Sequence, residues 1–151
     1  MVWRLCAAKY GATAFSGEGA ELYGGRWSPT GIPIAYRSES RALAVVEVLA
    51  NAEERDRLFA REWVLASAEV PPELIDKPAR FPQNWREYPH GRETQLLGAE
   101  WAKAQRSAAL RVPSAVVPGE FNYLLNPAHP QFAKLKIGKP EPFSFDPRLA
   151  K

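Results

Sequence analysis

The run ALAVVEVLA, from Ala42 to Ala50, constrains this chain more than any other stretch. Eight of its nine residues are apolar, so it reads as a helix that the fold must cover on nearly every side. Glu47 is the exception. A carboxylate buried without a partner costs several kcal/mol or is forced to neutralise, so Glu47 is expected to meet a cation, hydrogen-bond donors or a cavity. Ser38 and Ser40 both stand where a helix N-cap is needed, and Glu39 favours the same start through the helix dipole.

Upstream of this helix, Gly24 and Gly25 allow a close backbone approach, and Arg26 and Trp27 follow them directly. The SPTG turn then leads into a strand over Ile32–Arg37, which Pro33 restricts to a sheet edge or a strand start. Tyr36 lies near the end of that strand. Val2–Leu5 reads as a first strand with Arg4 inside it, and Lys9–Gly25 as a long glycine-rich, acidic loop. Beyond Asn51 the charged EERDRLFARE is a short second helix or a solvated connection, and Trp63–Pro71 is a strand.

Pro72–Pro89 is proline-punctuated and irregular, placed on the surface near the site or wrapped around the core. Gly91–Ala109 is predicted as a helix with Leu97 and Trp101 on one face. Leu110–Val117 is a strand interrupted by Pro113 and Ser114, a hydroxyl where a hydrophobe is expected. Pro118–Pro130 reads as a turn-rich segment in which Asn122 and Asn126 cap turns. KLKIG and EPFSF are two closing strands. No repeat or linker divides the chain, so 1–151 is expected to form one α+β (mixed α/β) domain, a small central sheet flanked by helices.

A length of 151 residues supports one sizeable core. No apolar run approaches the roughly 20 residues that span a bilayer, and the N-terminus carries no secretory pattern, so a soluble chain without a membrane partner is expected. Cys6 is the only cysteine, which suits a reducing cytoplasm. The net charge of +3 is scattered rather than clustered.

Nucleotide-binding glycine motifs, metal-spaced His/Cys sets and nucleophile elbows are all missing from the sequence. His90 and His129 are the only histidines, and neither is expected to be catalytic. What remains for chemistry is carboxylate, arginine, tyrosine and hydroxyl. That set suits cleavage of a glycosidic bond through an oxocarbenium-like transition state, which a carboxylate stabilises without a metal. Arginines would hold a pyrophosphate and an aromatic ring would stack on a flat base.

Taken together, GGRWSPTGIPIAYRSES with ALAVVEVL, LRVPSAVVPGEFNYLLNPAHPQF and the closing PFSFDPRL resemble the RES domain, from Trp3 to Leu149 and in order. The resemblance implies an ADP-ribosyltransferase-like fold and a toxin of a bacterial type II toxin–antitoxin module. It further implies NAD+ as substrate, cleaved at the nicotinamide–ribose bond, and an Xre-type helix-turn-helix antitoxin as partner. Carried onto this chain, it implies Glu47, Arg26, Tyr36 and Ser114 as catalytic residues, with Arg4, Trp27 and Gly25 binding substrate. In that scheme Arg26 and Arg4 orient the dinucleotide, Tyr36 stacks on nicotinamide and Glu47 stabilises the developing cation. No prosthetic group or metal is implied.

The acceptor stays open: water makes a glycohydrolase, phosphate a phosphorylase, and a protein nucleophile an ADP-ribosyltransferase. Two competing readings rank lower. A non-catalytic basic module binding nucleic acid or protein has only Lys134, Lys136 and Lys139 in its favour, and an RNA-cleaving toxin is disfavoured by the scarcity of histidine.

Overall fold

A computed structural model describes residues 1–150. Eight strands form one sheet in the order β4-β5-β6-β2-β1-β3-β7, with β8 also paired to β3. The strands are β1 (Val2–Ala7), β2 (Ala35–Ser38), β3 (Trp63–Glu69), β4 (Ile75–Asp76), β5 (Ala109–Pro113), β6 (Phe121–Leu125), β7 (Lys136–Ile137) and β8 (Glu141–Phe143). All pairings are antiparallel except the short β4–β5 contact. Four helices accompany the sheet: α1 (Glu18–Tyr23), α2 (Arg41–Asn51), α3 (Asp56–Phe59) and α4 (Arg92–Ala104). The mixed single-domain fold is the one expected, but the sheet is broad rather than small.

Three local expectations are corrected. Within the stretch read as an open loop, Ala8–Thr13 forms a 3-10 turn and Glu18–Tyr23 forms α1. The segment read as turns from Pro118 contains β6, an interior strand between β5 and β2. Its signal was present: aromatic and apolar residues in FNYLL sit between the Pro118-Gly119 and Asn126-Pro127 turn pairs. Finally, α4 ends at Ala104, where Gln105 takes a left-handed φ of 50° as its cap, leaving Ala109 free to open β5.

Helix α2 starts as expected at Ser40, whose hydroxyl accepts from the Leu43 backbone N–H at 3.0 Å. It is not covered on all sides, however. Only Leu43 and Ala44 are buried, while Val45 to Leu49 are half-buried. The helix leans on β1 and β2 along one stripe, packed with Leu5, Leu58, Leu65 and Phe145. Across the sheet from β1, a second cluster joins Trp27, Ile34, Leu110, Leu124 and Trp101 beneath α4. Pro33 precedes β2, so this strand runs in the middle of the sheet without losing a ladder bond. Among the described residues no helix is long and apolar enough to cross a membrane.

Candidate active site

The turn Gly24–Ser28 is the most heavily tied segment of the site. Gly24 takes φ 70°, and the Gly25 N–H donates to the Ser28 carbonyl at 2.8 Å. A β-carbon at Gly25 would stand 2.8 Å from the Tyr36 hydroxyl, so glycine is required for Tyr36 to reach the turn. That hydroxyl shares a 2.6 Å hydrogen bond with Ser28 Oγ and accepts from the Trp27 N–H at 3.2 Å. Burial pushes the Tyr36 phenol up to about 12, against the milder effect of its two hydrogen bonds.

From α4, Thr94 Oγ1 donates to the Arg26 carbonyl at 2.5 Å, and Gln95 Nε2 donates to the carbonyls of Gly25 and Ser28 at 3.1 and 3.3 Å. A β-carbon at Gly98 would lie only 1.7 Å from the Trp27 carbonyl oxygen, so the helix and the turn touch backbone to backbone. Trp27 is 3% exposed and meets Phe81 edge-on at 5.5 Å, which anchors the turn in the core. The Arg26 side chain reaches the proline-rich segment, donating through Nη1 to the carbonyls of Trp85 at 2.9 Å and Glu87 at 2.6 Å. Burial lowers the Arg26 guanidinium, and the Glu47 charge acts against that shift.

Glu47 projects from α2 toward the ends of β5 and β6. Its Oε1 accepts from Ser114 Oγ and from Asn122 Nδ2, each at 2.8 Å. Among the described residues Oε2 has no hydrogen-bond partner. Ser114 is itself fixed: its hydroxyl accepts from the Val116 and Val117 N–H groups, and its own N–H donates to the Glu120 carbonyl. The Ser114 hydroxyl is thus aligned to hold the acid. Asn122, expected to cap a turn, lies instead in β6 and is the second holder; its Oδ1 is buried without a partner. Asn126 does cap a turn, accepting from the Ala128 N–H at 3.0 Å.

These groups border one cavity of about 790 Å³, within the size range of small-molecule sites. Arg4, Gly25, Arg26, Trp27, Tyr36 and Glu47 all line it, while Ser114 stands behind Glu47. The structure therefore brings together every candidate residue named from the sequence. Arg37 and Arg86, which were not singled out, belong to the same wall, as do His90, not expected to be catalytic, and Asn122, expected to cap a turn. Arg37 was hidden by its place in a polar strand end, RSES, which reads as solvent-facing. A second cavity of about 480 Å³, walled by Leu58, Phe59, Trp63 and Phe143 among others, lies away from this constellation.

The family model described as "RES domain" matches residues 1–146. A protein of Sphingobium sp. (strain YBL2) named "Prs ADP-ribosylating toxin" is 38% identical over 97% of this chain and 94% of its own. A protein of Yersinia enterocolitica named "Toxin Res" is 37% identical over 99% of both chains. Among solved structures, the M. tuberculosis MbcT-MbcA toxin-antitoxin complex contains a chain of similar fold, with a TM-score of 0.74 at 20% identity, covering 95% of this chain and 83% of that one. With its motifs converging on one cavity and the family model spanning nearly its whole length, the chain belongs to the RES domain family.

Proposed function

We propose that this chain is the toxin of a toxin–antitoxin module and that it consumes NAD+ by breaking the nicotinamide–ribose bond. The observation that carries the reading is Glu47: one carboxylate oxygen is fixed by Ser114 and Asn122 while the other is left for a ligand, in a cavity that also holds four arginines. As the C1′–N bond breaks, its electron pair leaves with nicotinamide and the ribose acquires oxocarbenium character. A fixed carboxylate opposes that positive charge without reorganising, which is where electrostatic catalysis is strongest. Glu47 Oε2 is the group to stabilise the cation or to bind the ribose hydroxyls. The arginines supply the positive field for a pyrophosphate.

An acceptor then adds to C1′ and loses its proton: water gives ADP-ribose, phosphate gives ADP-ribose 1″-phosphate, and a protein side chain becomes ADP-ribosylated. Transfer to protein is the second reading. It draws on the name of the Sphingobium relative and on Tyr23 and Tyr88, which line the cavity at 84% and 91% exposure and offer a surface to a macromolecule. The expected partner is an Xre-type helix-turn-helix antitoxin, and the expected compartment is the cytoplasm, where NAD+ is present.

The test measures NAD+ loss and nicotinamide release by the purified chain and by Glu47→Gln, with and without phosphate. Glutamine keeps an oxygen for Ser114 and Asn122, so circular dichroism should match wild type while kcat falls by about 10²–10³-fold. Equal turnover by both proteins sinks the role of Glu47, and no turnover by wild type, with or without phosphate, sinks the hydrolysis and phosphorolysis readings.

A further inference from the structure

The proline-rich segment borders the cavity and takes no part in the chemistry proposed for it. Its first half is rooted: Phe81 meets the buried Trp27 ring edge-on, Trp85 packs against the same cluster beneath α4, and Asn84 Nδ2 donates to Glu93 Oε2 near the start of that helix at 2.9 Å. Its second half, Arg86 to His90, is exposed throughout, yet Arg86, Tyr88 and His90 all line the cavity. Two arginines tie this half to the rest of the wall.

Arg26 Nη1 donates to the carbonyls of Trp85 and Glu87, the residues on either side of Arg86, and so fixes the backbone that bears it. Arg86 in turn donates through Nε to the Ala115 carbonyl at 3.2 Å. Ala115 lies inside the turn that the Ser114 hydroxyl closes by accepting from the Val116 and Val117 N–H groups, and that hydroxyl is one of the two groups holding Glu47 Oε1. The turn belongs to the connection from β5 to β6 and is only half-buried from Ala115 to Val117, so a bond from outside it bears on where the hydroxyl points. A line of contacts thus runs from the Gly24–Ser28 turn through the proline-rich segment to the acid's wall.

We propose that Arg86 is a positioning residue for the acid: its bond to Ala115 steadies the Ser114 turn, and through Ser114 the direction of Glu47, while Arg26 clasps the segment from the other wall. The assignment rests on Glu47 being the group that opposes the cation in NAD+ cleavage. A carboxylate is effective there because it is aimed before charge develops, so a small drift of its holder is felt in the chemical step. What Arg86 supplies is the Nε donor and not the charge.

Two variants of similar length separate donor from charge. In Arg86→Gln the amide nitrogen stands as many bonds from the backbone as Nε, so a donor stays and the charge goes; Arg86→Met loses both. In NAD+ turnover Arg86→Met should lower kcat roughly threefold to tenfold, the range of one hydrogen bond, with KM nearly unchanged, and Arg86→Gln should recover most of that loss. In a Ser114→Ala background Arg86→Met should cost nothing further, because it acts through that hydroxyl. Independently of turnover, the Val116 and Val117 amides should exchange with solvent several-fold faster in Arg86→Met than in wild type or Arg86→Gln, as read by NMR. The side chain is exposed, so both variants should melt with wild type. Equal kcat in all three proteins overturns the proposal and leaves the Glu47 reading standing. A KM raised alike in both variants also overturns it, since Arg86 would then serve the substrate as a cation. A wild type that does not cleave NAD+ removes the reading on which the role rests; exchange that is then the same in all three proteins overturns the positioning as well, and faster exchange confined to Arg86→Met leaves it in place.

Discussion

The turn that carries Arg26 and the strand that carries Arg37 border one cavity and treat their guanidinium groups in opposite ways. Around Arg26 the backbone is tied by Thr94, Gln95 and Tyr36, and one guanidinium nitrogen donates to the carbonyls of Trp85 and Glu87. Around Arg37 two nitrogens are left unanswered in the interior. The lesson is that hydrogen-bond accounting separates roles that residue type does not. An arginine that donates to carbonyls distant in sequence ties a loop in place, and one packed on an aromatic ring with two nitrogens unbonded is held by burial rather than by hydrogen bonds.

The sharpest way to break the contrast is on the Arg26 side, at Gly98. In Gly98→Ala the new methyl has no room against the Trp27 carbonyl, so α4 and the turn must part. A loss of about 3 kcal/mol is expected in denaturant melts, together with weaker NAD+ cleavage as Arg26 moves. Unchanged cleavage by the destabilised variant would mean that the turn does not position Arg26 for the reaction.

Tyr36→Phe gives a smaller and pH-dependent effect. Near neutral pH it removes a hydroxyl that two turn atoms use, costing about 1–2 kcal/mol. The folded phenol sits at about 12, whereas an unfolded tyrosine titrates near 10, so the folded state holds the proton longer. Its contribution is complete below about pH 10 and is lost as pH rises toward 12, by up to about 3 kcal/mol. Melts of wild type and Tyr36→Phe across this range should therefore converge and then cross; a constant gap would show that the hydroxyl is not titrating as the burial requires.

The mildest change is Ser114→Ala. It leaves Asn122 to hold Glu47 alone and frees the Val116 and Val117 N–H groups, so about 1–2 kcal/mol of stability and roughly tenfold in kcat should go. Denaturant melts and NAD+ turnover of the variant read the two effects separately.

Much of the acid's wall was legible beforehand. An apolar run with one carboxylate demanded a partner, and Ser114, a hydroxyl in an apolar strand, turned out to be one of them. The outline of the sheet was legible too, since apolar runs bounded by turn and proline signals mark β1, β2 and β3. What escaped was set by contacts distant in sequence. Asn122 looked like a turn former because asparagine usually is one, and only the β2–β6 pairing, Ser38 opposite Asn122, turns it toward the acid. Arg37 looked solvated because its strand ends in polar residues, and only Phe15 and the flanking strands bury it. The helix α2 was judged too deeply buried because composition tells how much apolar surface exists and not how much the fold has partners to cover.

The middle of the sheet also bears on the order in which this molecule can come into being. β1 is made first, yet both of its neighbours are made later, β2 after some thirty residues and β3 after some sixty, and the acid's second holder comes from β6 later still. Pairings so distant in sequence form slowly and leave a nascent chain incomplete on the ribosome. A chain that has been synthesised only through α4 already carries Arg4, Arg26, Arg37 and Glu47, but neither Ser114 nor Asn122 to aim the carboxylate. The complete constellation therefore first exists only when β6 closes beside β2, so the cavity's acid is aimed late in synthesis by topology alone.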